Sequence, residues 1–309
     1  MKLLLIRHAE SEHNIAGLLY AILFDSLWPS LLTIGSAGVT DSALTNHGVL
    51  QTQRLGSYLA DRHRFTQVFS SDLRRAYMTA KAIEDAQKSK HTDVEDMTVV
   101  QLELLREQDF GSFECTPWSS KRSGITTDKL PKPEDAGFRP QETSEAMAKR
   151  ADIFLDDYIL PQLAIDHELE GIVAVVSHGL MLAVLWKSLL ARFGPHTVSL
   201  EAEISNKTGF RPLEYLPGWS NTGYVELHMV KTSESAAESI PCSEDASAPA
   251  SNDRSAKLPG WRMVVQSVNR KDHLSNLKRT RGGVGSSTYD TRQKNLEGYF
   301  KKPRVTVKD

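Results

Sequence analysis

The sequence predicts an α/β fold, a three-layer sandwich in which a mainly parallel sheet carries helices on both faces. Two patterns predict it. Short apolar runs alternate with longer segments of helical periodicity through the first two-thirds of the 309 residues. Two of those runs, residues 3–6 and 171–176, have the near-continuous apolar character of strands buried on both faces. A third observation concerns where these strands end. Each breaks off abruptly into polar residues, Arg7-His8 in one case and Ser177-His178-Gly179 in the other. In open α/β sheets the carboxyl ends of the strands are where ligands bind.

In chain order, residues 3–6 form the first strand. Thr45 caps a helix to roughly residue 61, with Leu50, Leu55, Tyr58 and Leu59 on its apolar side. Residues 67–70 make a short strand, and Asp72 opens a helix to about residue 86. Residues 98–100 read as a weak strand. Periodicity is then lost from 114 to 141, where Pro117, Pro131, Pro133 and Pro140 punctuate the chain. An irregular insertion of that length reads as a lid over a site. Thr143 or Ser144 caps the next helix, whose apolar residues are Met147, Ile153, Phe154, Leu155 and Ile159. The strand at 171–176 leads into a helix over 179–193. Residues 222–230 and 261–268 read as two strands of a hairpin. The Ser-, Ala- and Glu-rich stretch 231–260 between them cannot bury apolar surface and is expected to be a disordered insertion. The folded domain is therefore expected to span 1–230 plus 261–274, with 275–309 as a basic, flexible tail.

An apolar content of 40% supports a core of this size. The net charge of -2 offers no bulk attraction to nucleic acid or membrane, so neither is an expected direct partner. The charge is uneven, however. Residues 266–309 hold eleven Lys or Arg against four Asp or Glu, which points to a separate role for the tail. The apolar stretch 18–34 contains Asp25 and Pro29 and is short for a membrane span, so it reads as a buried or lid-forming loop. Cys115 and Cys242 give no disulfide framework and no zinc-like spacing. With no secretory leader in view, a cytoplasmic location, a nuclear one or both are expected.

Four segments carry the candidate chemistry. They are Arg7-His8, Ser70-Ser71-Asp72-Leu73-Arg74-Arg75-Ala76, Leu105-Arg106-Glu107-Gln108-Asp109-Phe110-Gly111 and Ser177-His178-Gly179. Three of them end predicted strands of one sheet, where helix N-termini add N–H donors for an anion. A fixed cation beside an imidazole suits holding a phosphate and attacking it.

Taken together these segments resemble the histidine phosphatase superfamily, which has the phosphoglycerate-mutase-like fold. Arg7-His8-Ala9-Glu10-Ser11-Glu12-His13-Asn14 is similar to that family's RHGxSxxN pattern, with Ala9 in place of Gly. Asp41-Ser42-Ala43-Leu44-Thr45-Asn46-His47-Gly48 resembles its DxxLTxxG segment. The resemblance implies that His8 is a nucleophile forming a phosphohistidine. It implies that Arg7, Arg75, Asn14 and His178 bind phosphate, with His178 also stabilising transferring charge. Glu107 would protonate the leaving group and then take a proton from water, with Asp109 and Glu114 as competitors for that role. No metal or cofactor is implied, because Arg and His supply the cationic clamp. The segment after Glu107 is more like fungal phosphatase-like relatives than mutases. Hydrolysis of a phosphorylated small molecule is the leading expectation. A phosphoglycerate-mutase-type isomerase and a weakly active binding module are the alternatives.

In the tail, Gln293-Lys294-Asn295-Leu296-Glu297-Gly298-Tyr299-Phe300 resembles the peptide box that binds the DNA sliding clamp, proliferating cell nuclear antigen. One helical turn would present Leu296, Tyr299 and Phe300 as an apolar plug, and Gln293 would hydrogen-bond beside it. Lys301, Lys302 and Arg304 would suit an acidic partner surface.

Overall fold

The computed structural model describes residues 1–16, 38–92, 96–115, 131–164, 171–194, 196–208, 212–215, 218–232, 258–280 and 283–290. Strand β1 (Lys2–Arg7) is followed by a short helix α1 (Glu12–Ala16) and by α2 (Asn46–Ala60). Next come β2 (Gln67–Ser71), α3 (Arg74–Lys90) and β3 (Val99–Leu102). Helix α4 (Ser144–Phe154) runs through a π-helical turn (Leu155–Ile159) into α5 (Leu160–Ala164). Then β4 (Ile172–Ser177), α6 (Gly179–Ala191), β5 (Val198–Leu200) and α7 (Ala202–Thr208) precede the final pair, β6 (Tyr224–Lys231) and β7 (Trp261–Arg270).

The seven strands form one sheet in the order β3-β2-β4-β1-β6-β7-β5. Strand β6 runs against both of its neighbours; the other described pairings are parallel. This is the expected mainly parallel sheet, and the alternation of side chains along β1 gives it two cores. Leu3 and Leu5 join Phe154, Leu155, Met181 and Leu185 on one face. Leu4 and Ile6 join Leu55, Leu59, Ala76 and Ile83 on the other. Helices therefore cover both faces, with α4 and α6 on one side and α2 and α3 on the other.

Several elements follow from local chemistry. Thr45 caps α2, its hydroxyl accepting from Gly48 N at 2.9 Å, and Thr143 caps α4 through Ala146 N at 3.2 Å. Helix α3 starts at Arg74 rather than Asp72, because both carboxylate oxygens of Asp72 are taken by Arg106. The expected apolar faces need two corrections. Leu50 and Ile153 are exposed, at 39% and 38%. On α2 the inward positions beside Leu50 go to Gln51 and Thr52, since the Gln51 amide oxygen accepts from Glu10 N at 2.9 Å. In α4 ordinary helical spacing through Met147, Ala151 and Phe154 turns Ile153 outward, and the π-helical turn brings Ile159 inward with Leu155. Strand β5 and helices α1 and α7 were not expected.

The two strands read as a hairpin do pair, from Tyr224 with Arg270 to Lys231 with Trp261. Most of the stretch between them lies outside the described residues, as do residues 17–37 and 116–130. Residues 275–280 and 283–290, expected to open a flexible tail, are instead placed against the body. Tyr289 N donates to Leu44 O at 3.0 Å, Asn46 N donates to Ser287 O at 3.0 Å, and Arg279 pairs with Glu10. Their polar groups serve backbone partners that a sequence pattern cannot reveal. Among the described residues no helix is long and apolar enough to cross a membrane.

Gly48 shows how closely the first loop is packed. A Cβ there would lie 2.0 Å from the Glu10 carbonyl oxygen, so α2 can approach the segment after His8 only without a side chain. Gly48→Ala is expected to lower the unfolding free energy by roughly 1–3 kcal/mol. Urea denaturation checks this, and an unchanged midpoint would show that the contact relaxes freely.

Candidate active site

Arg7 ends β1 in register with Ser177, which ends β4. The His8 amide continues the ladder, donating to Ser177 O at 3.0 Å. His8 and His178 therefore leave the sheet edge side by side, with ring centroids 5.0 Å apart. His178 is also the N-cap residue of α6. The His8 Nδ1 lies 2.7 Å from the Ala9 carbonyl oxygen. A carbonyl only accepts, so Nδ1 carries the hydrogen and Nε2 keeps its lone pair. Ala9 is fully buried, and its φ is not among the positive values of the described non-glycine residues, so Ala replaces Gly there without backbone strain.

Two guanidinium groups flank the rings. Arg7 donates from Nη1 to Trp219 O at 2.6 Å, and Arg75 donates to Thr40 O at 2.9 Å and Gly38 O at 2.6 Å. Both arginines are nearly inaccessible to solvent. The Nε of each, and both ring nitrogens of His178, are buried and make no hydrogen bond among the described residues. Buried donors in that state favour an anion that can accept from them.

The electrostatics agree with the geometry. Burial first, then the Arg75 and Arg7 charges, hold the His8 imidazole well below its ordinary pKa, against the opposing pull of the Ala9 carbonyl. His178 is lowered by burial and then by Arg75, His8, Arg7 and Arg150. Burial pulls Arg75 down to about 10, opposed by Glu107, Asp41 and Glu114. Arg7 is lowered by burial and supported by Glu107.

Glu107 follows the 3-10 turn after β3 and is 3% exposed. Its Oε1 accepts from Gln108 N at 3.1 Å and Met181 N at 3.0 Å, and its Oε2 from Leu180 N at 3.2 Å. The carboxylate thus sits on the first turn of α6, where the helix dipole favours negative charge. Its two competitors are occupied elsewhere. Asp109 pairs with Arg139 and accepts from Gly111 N. Glu114 accepts from Val39 N, Thr40 N, the Thr40 hydroxyl and Phe110 N, tying the lid's root to the loop that holds Arg75.

The structure thus brings Arg7, His8, Arg75, Glu107 and His178 together. The phosphate contact expected of Asn14 would come from its NH2 group; its amide oxygen accepts from Ser11 N at 3.0 Å and Asn221 Nδ2 at 3.1 Å. That half of the amide fastens the loop rather than facing an anion. Gln293, Leu296, Tyr299 and Phe300 lie outside the described residues. No group of three or more His, Cys, Asp or Glu able to hold a metal ion occurs among the described residues.

Sequence reasoning missed the segment 219–223. Thr222 N donates to both Arg7 O at 3.1 Å and His8 O at 3.3 Å, and Asn221 Nδ2 donates to His8 O at 3.1 Å. Thr222 is buried at φ 55°, a strained setting for a β-branched residue. Its hydroxyl contacts His273 Nε2 at 2.9 Å. The only signal available was the turn-like Ser220-Asn221-Thr222-Gly223 before a strand.

The fold and these side chains define an α/β protein with two imidazoles flanked by two buried arginines at the carboxyl edge of its sheet. A family model for the histidine phosphatase superfamily, branch 1, matches residues 3–215, and the chain belongs to that superfamily. It is 26% identical over 299 residues to a protein of Schizosaccharomyces pombe described as a probable phosphatase, covering 97% of this chain and 79% of that one. It is 32% identical over 152 residues to the fructose-2,6-bisphosphatase TIGAR of Xenopus tropicalis, covering 48% of this chain and 46% of the relative. Among solved structures, a mycobacterial hydrolase superposes with a TM-score of 0.53 at 19% identity, covering 87% of this chain and 98% of that one. A mycobacterial glucosyl-3-phosphoglycerate phosphatase with bound inorganic phosphate gives 0.52 at 18% identity, covering 88% and 98%. At these identities the likeness is one of fold.

His273, buried against Thr222, has its pKa pushed down to about 4 by burial, with Asp272 opposing. The folded state holds it neutral while the unfolded chain titrates near 6.5, so the unfolded state binds more protons between those values. Stability is therefore lost as pH falls from about 6.5 towards about 4. One such group contributes a slope of about 1.4 kcal/mol per pH unit. His273→Gln is expected to be less stable at pH 7 and to lose less between pH 7 and 4.5. Guanidinium melts at the two pH values check it; an unchanged pH loss would rule His273 out as a contributor.

Proposed function

We propose that this protein is a phosphatase that hydrolyses a phosphomonoester of a small molecule through a phosphohistidine on His8. The carrying observation is the His8 ring. Its Nδ1 is committed to the Ala9 carbonyl, so Nε2 carries the lone pair beside two buried guanidinium groups and His178.

In the proposed reaction Arg7, Arg75 and His178 bind the phosphoryl oxygens and stabilise their charge in the transition state. His8 Nε2 attacks phosphorus, the P–N bond forms as the ester P–O bond breaks, and Glu107 gives its proton to the leaving oxygen. Glu107 then takes a proton from water as that water attacks the phosphohistidine, releasing phosphate and restoring both groups. The depressed pKa of His8 supports this role, because the imidazole stays neutral below the ordinary histidine range. The charge of Glu107 acts on both Arg7 and Arg75, whereas Asp109 pairs with Arg139, and this supports the choice of Glu107. The names of its relatives guide a substrate panel of sugar bisphosphates, phosphoglycerates, phosphoserine and aryl phosphates.

His8→Ala is expected to lower kcat by on the order of 10⁴-fold, and wild-type protein quenched during turnover should hold an acid-labile phosphohistidine. Assay of the panel with both proteins checks this. Turnover unaffected by His8→Ala would defeat the assignment, and interconversion of phosphoglycerate isomers without phosphate release would mark a mutase instead.

For the tail we propose recruitment to the DNA sliding clamp, placing the enzyme in the nucleus as well as the cytoplasm. The support is the Gln293-to-Phe300 pattern and its basic flank. A peptide of residues 291–304 should bind the clamp at micromolar concentration and lose binding when Tyr299 and Phe300 are both changed to Ala. Calorimetry checks it, and a wild-type peptide silent at high micromolar concentration would sink it.

A further inference from the structure

Glu107 lies in a stretch without regular structure between the 3-10 turn after β3 and the lid, yet a general acid must be placed within a few tenths of an ångström. What places it is found outside the pocket. Arg150, on the last turns of α4, donates from Nη1 to Leu104 O at 2.7 Å and Arg106 O at 3.0 Å, and from Nη2 towards Glu107 O at 3.5 Å. The same guanidinium pairs with Glu142 across both carboxylate oxygens, at 2.7 Å from Nε and 2.8 Å from Nη2. Glu142 completes the grip from the far side. Its Oε2 accepts from Asp109 N at 3.3 Å, its own N donates to Asp109 O at 2.6 Å, and its carbonyl accepts from the Gln108 side chain at 2.7 Å.

Thus the backbone on both sides of Glu107 is bound, residue by residue, by one half-buried ion pair. Glu142 is also the residue at which the lid, expected over 114–141, returns to α4. The pair touches none of His8, Arg7 or Arg75 by hydrogen bond in the described structure. Its reach is confined to the strip carrying the acid and to the field felt by His178.

We propose that Arg150, anchored by Glu142, is a positioning residue for the general acid, holding the Glu107 strip against the first turn of α6. The proposal rests on the assignment of Glu107 as the proton donor. It requires arginine rather than any cation. A planar fork serves two carbonyls while gripping both carboxylate oxygens in parallel, a bidentate geometry that three donors on one ammonium nitrogen do not reproduce. It also implies that lid and acid are set together, because the ion pair joins the lid's return to the strip.

The effect should therefore depend on how much the leaving group needs a proton. Arg150→Lys, Glu142→Gln and Glu107→Gln are compared with wild type on 2,4-dinitrophenyl, 4-nitrophenyl and phenyl phosphates and on glycerol phosphate. Single-turnover formation of the phosphohistidine is measured alongside circular dichroism. Arg150→Lys is expected to slow phosphorylation from phenyl and glycerol phosphates by about 10–100-fold while leaving the dinitrophenyl ester within about threefold. Glu142→Gln should bias the rates the same way by a smaller factor, and it decides the matter if Arg150→Lys does not fold. Equal slowing on every ester, or none, overturns the proposal. If Glu107→Gln itself shows no leaving-group bias, the acid assignment fails. If Glu107→Gln shows the bias and neither partner variant does, the positioning role alone fails.

Discussion

The site depends on the parallel register of β1 against β4. Arg7 is opposite Ser177, and His8 N extends the ladder to Ser177 O. Two residues that each follow the last residue of a strand are thereby delivered to the same point, and their rings meet 5.0 Å apart. A one-residue slip of β1 against β4 would turn His8 to the opposite face of the sheet from His178. What fixes the register is burial on both sides. Leu3 and Leu5 are committed to the core under α4 and α6, and Leu4 and Ile6 to the core under α2 and α3. Exchanging the two sets would force both cores to repack around side chains of different shape.

Given that frame, the harder physical problem is keeping two arginines inside it. Burial disfavours their charge, which is why Arg75 is pulled down to about 10. Their hydrogen-bond partners are mainly main-chain carbonyls, those of Trp219, Gly38 and Thr40. Carbonyl dipoles fix the guanidinium planes without cancelling their charge, whereas a carboxylate in bidentate contact would do both. Asp41 stands 3.9 Å from Arg75 and is half-exposed, so solvent weakens its effect, while the buried Glu107 offsets part of the charge of both arginines. The positive potential is thus left for an anionic ligand, and it adds to burial in holding the His8 and His178 pKa values down.

Much of this could be read from the sequence, for a definite reason. Strand ends carrying Arg7-His8, Arg75 and Ser177-His178 are local signals, and sheet topology alone brings them together. Thr45 and Gly48 were legible as part of a short pattern, and the structure supplies the reasons: a cap for α2 and a clearance beside the Glu10 carbonyl. What escaped depends on contacts distant in sequence. Thr222 grips Arg7 and His8 from more than two hundred residues away, and nothing local marks it beyond a turn. Residues 275–290 read as a free basic tail because their partners, Leu44, Asn46 and Glu10, lie at the other end of the chain. Leu50 was misplaced because periodicity takes no account of a buried Gln51, and Ile153 because the inward face of α4 runs through Met147, Ala151 and Phe154.

The proposed nucleophile and the proposed acid are held by different means. His8 sits at the end of a strand whose neighbours on both sides are hydrogen-bonded to it, so its backbone has little freedom. Glu107 sits on a loop, and its position is the sum of side-chain contacts: three N–H groups at its carboxylate and the Arg150–Glu142 pair at its backbone. Such contacts are individually replaceable, while a sheet register is not. Changes of sequence at the lid and at α4 can therefore reposition the acid and the walls around a leaving group without disturbing the phosphoryl clamp. A fold of this kind can keep one phosphate chemistry and vary the molecule that carries the phosphate.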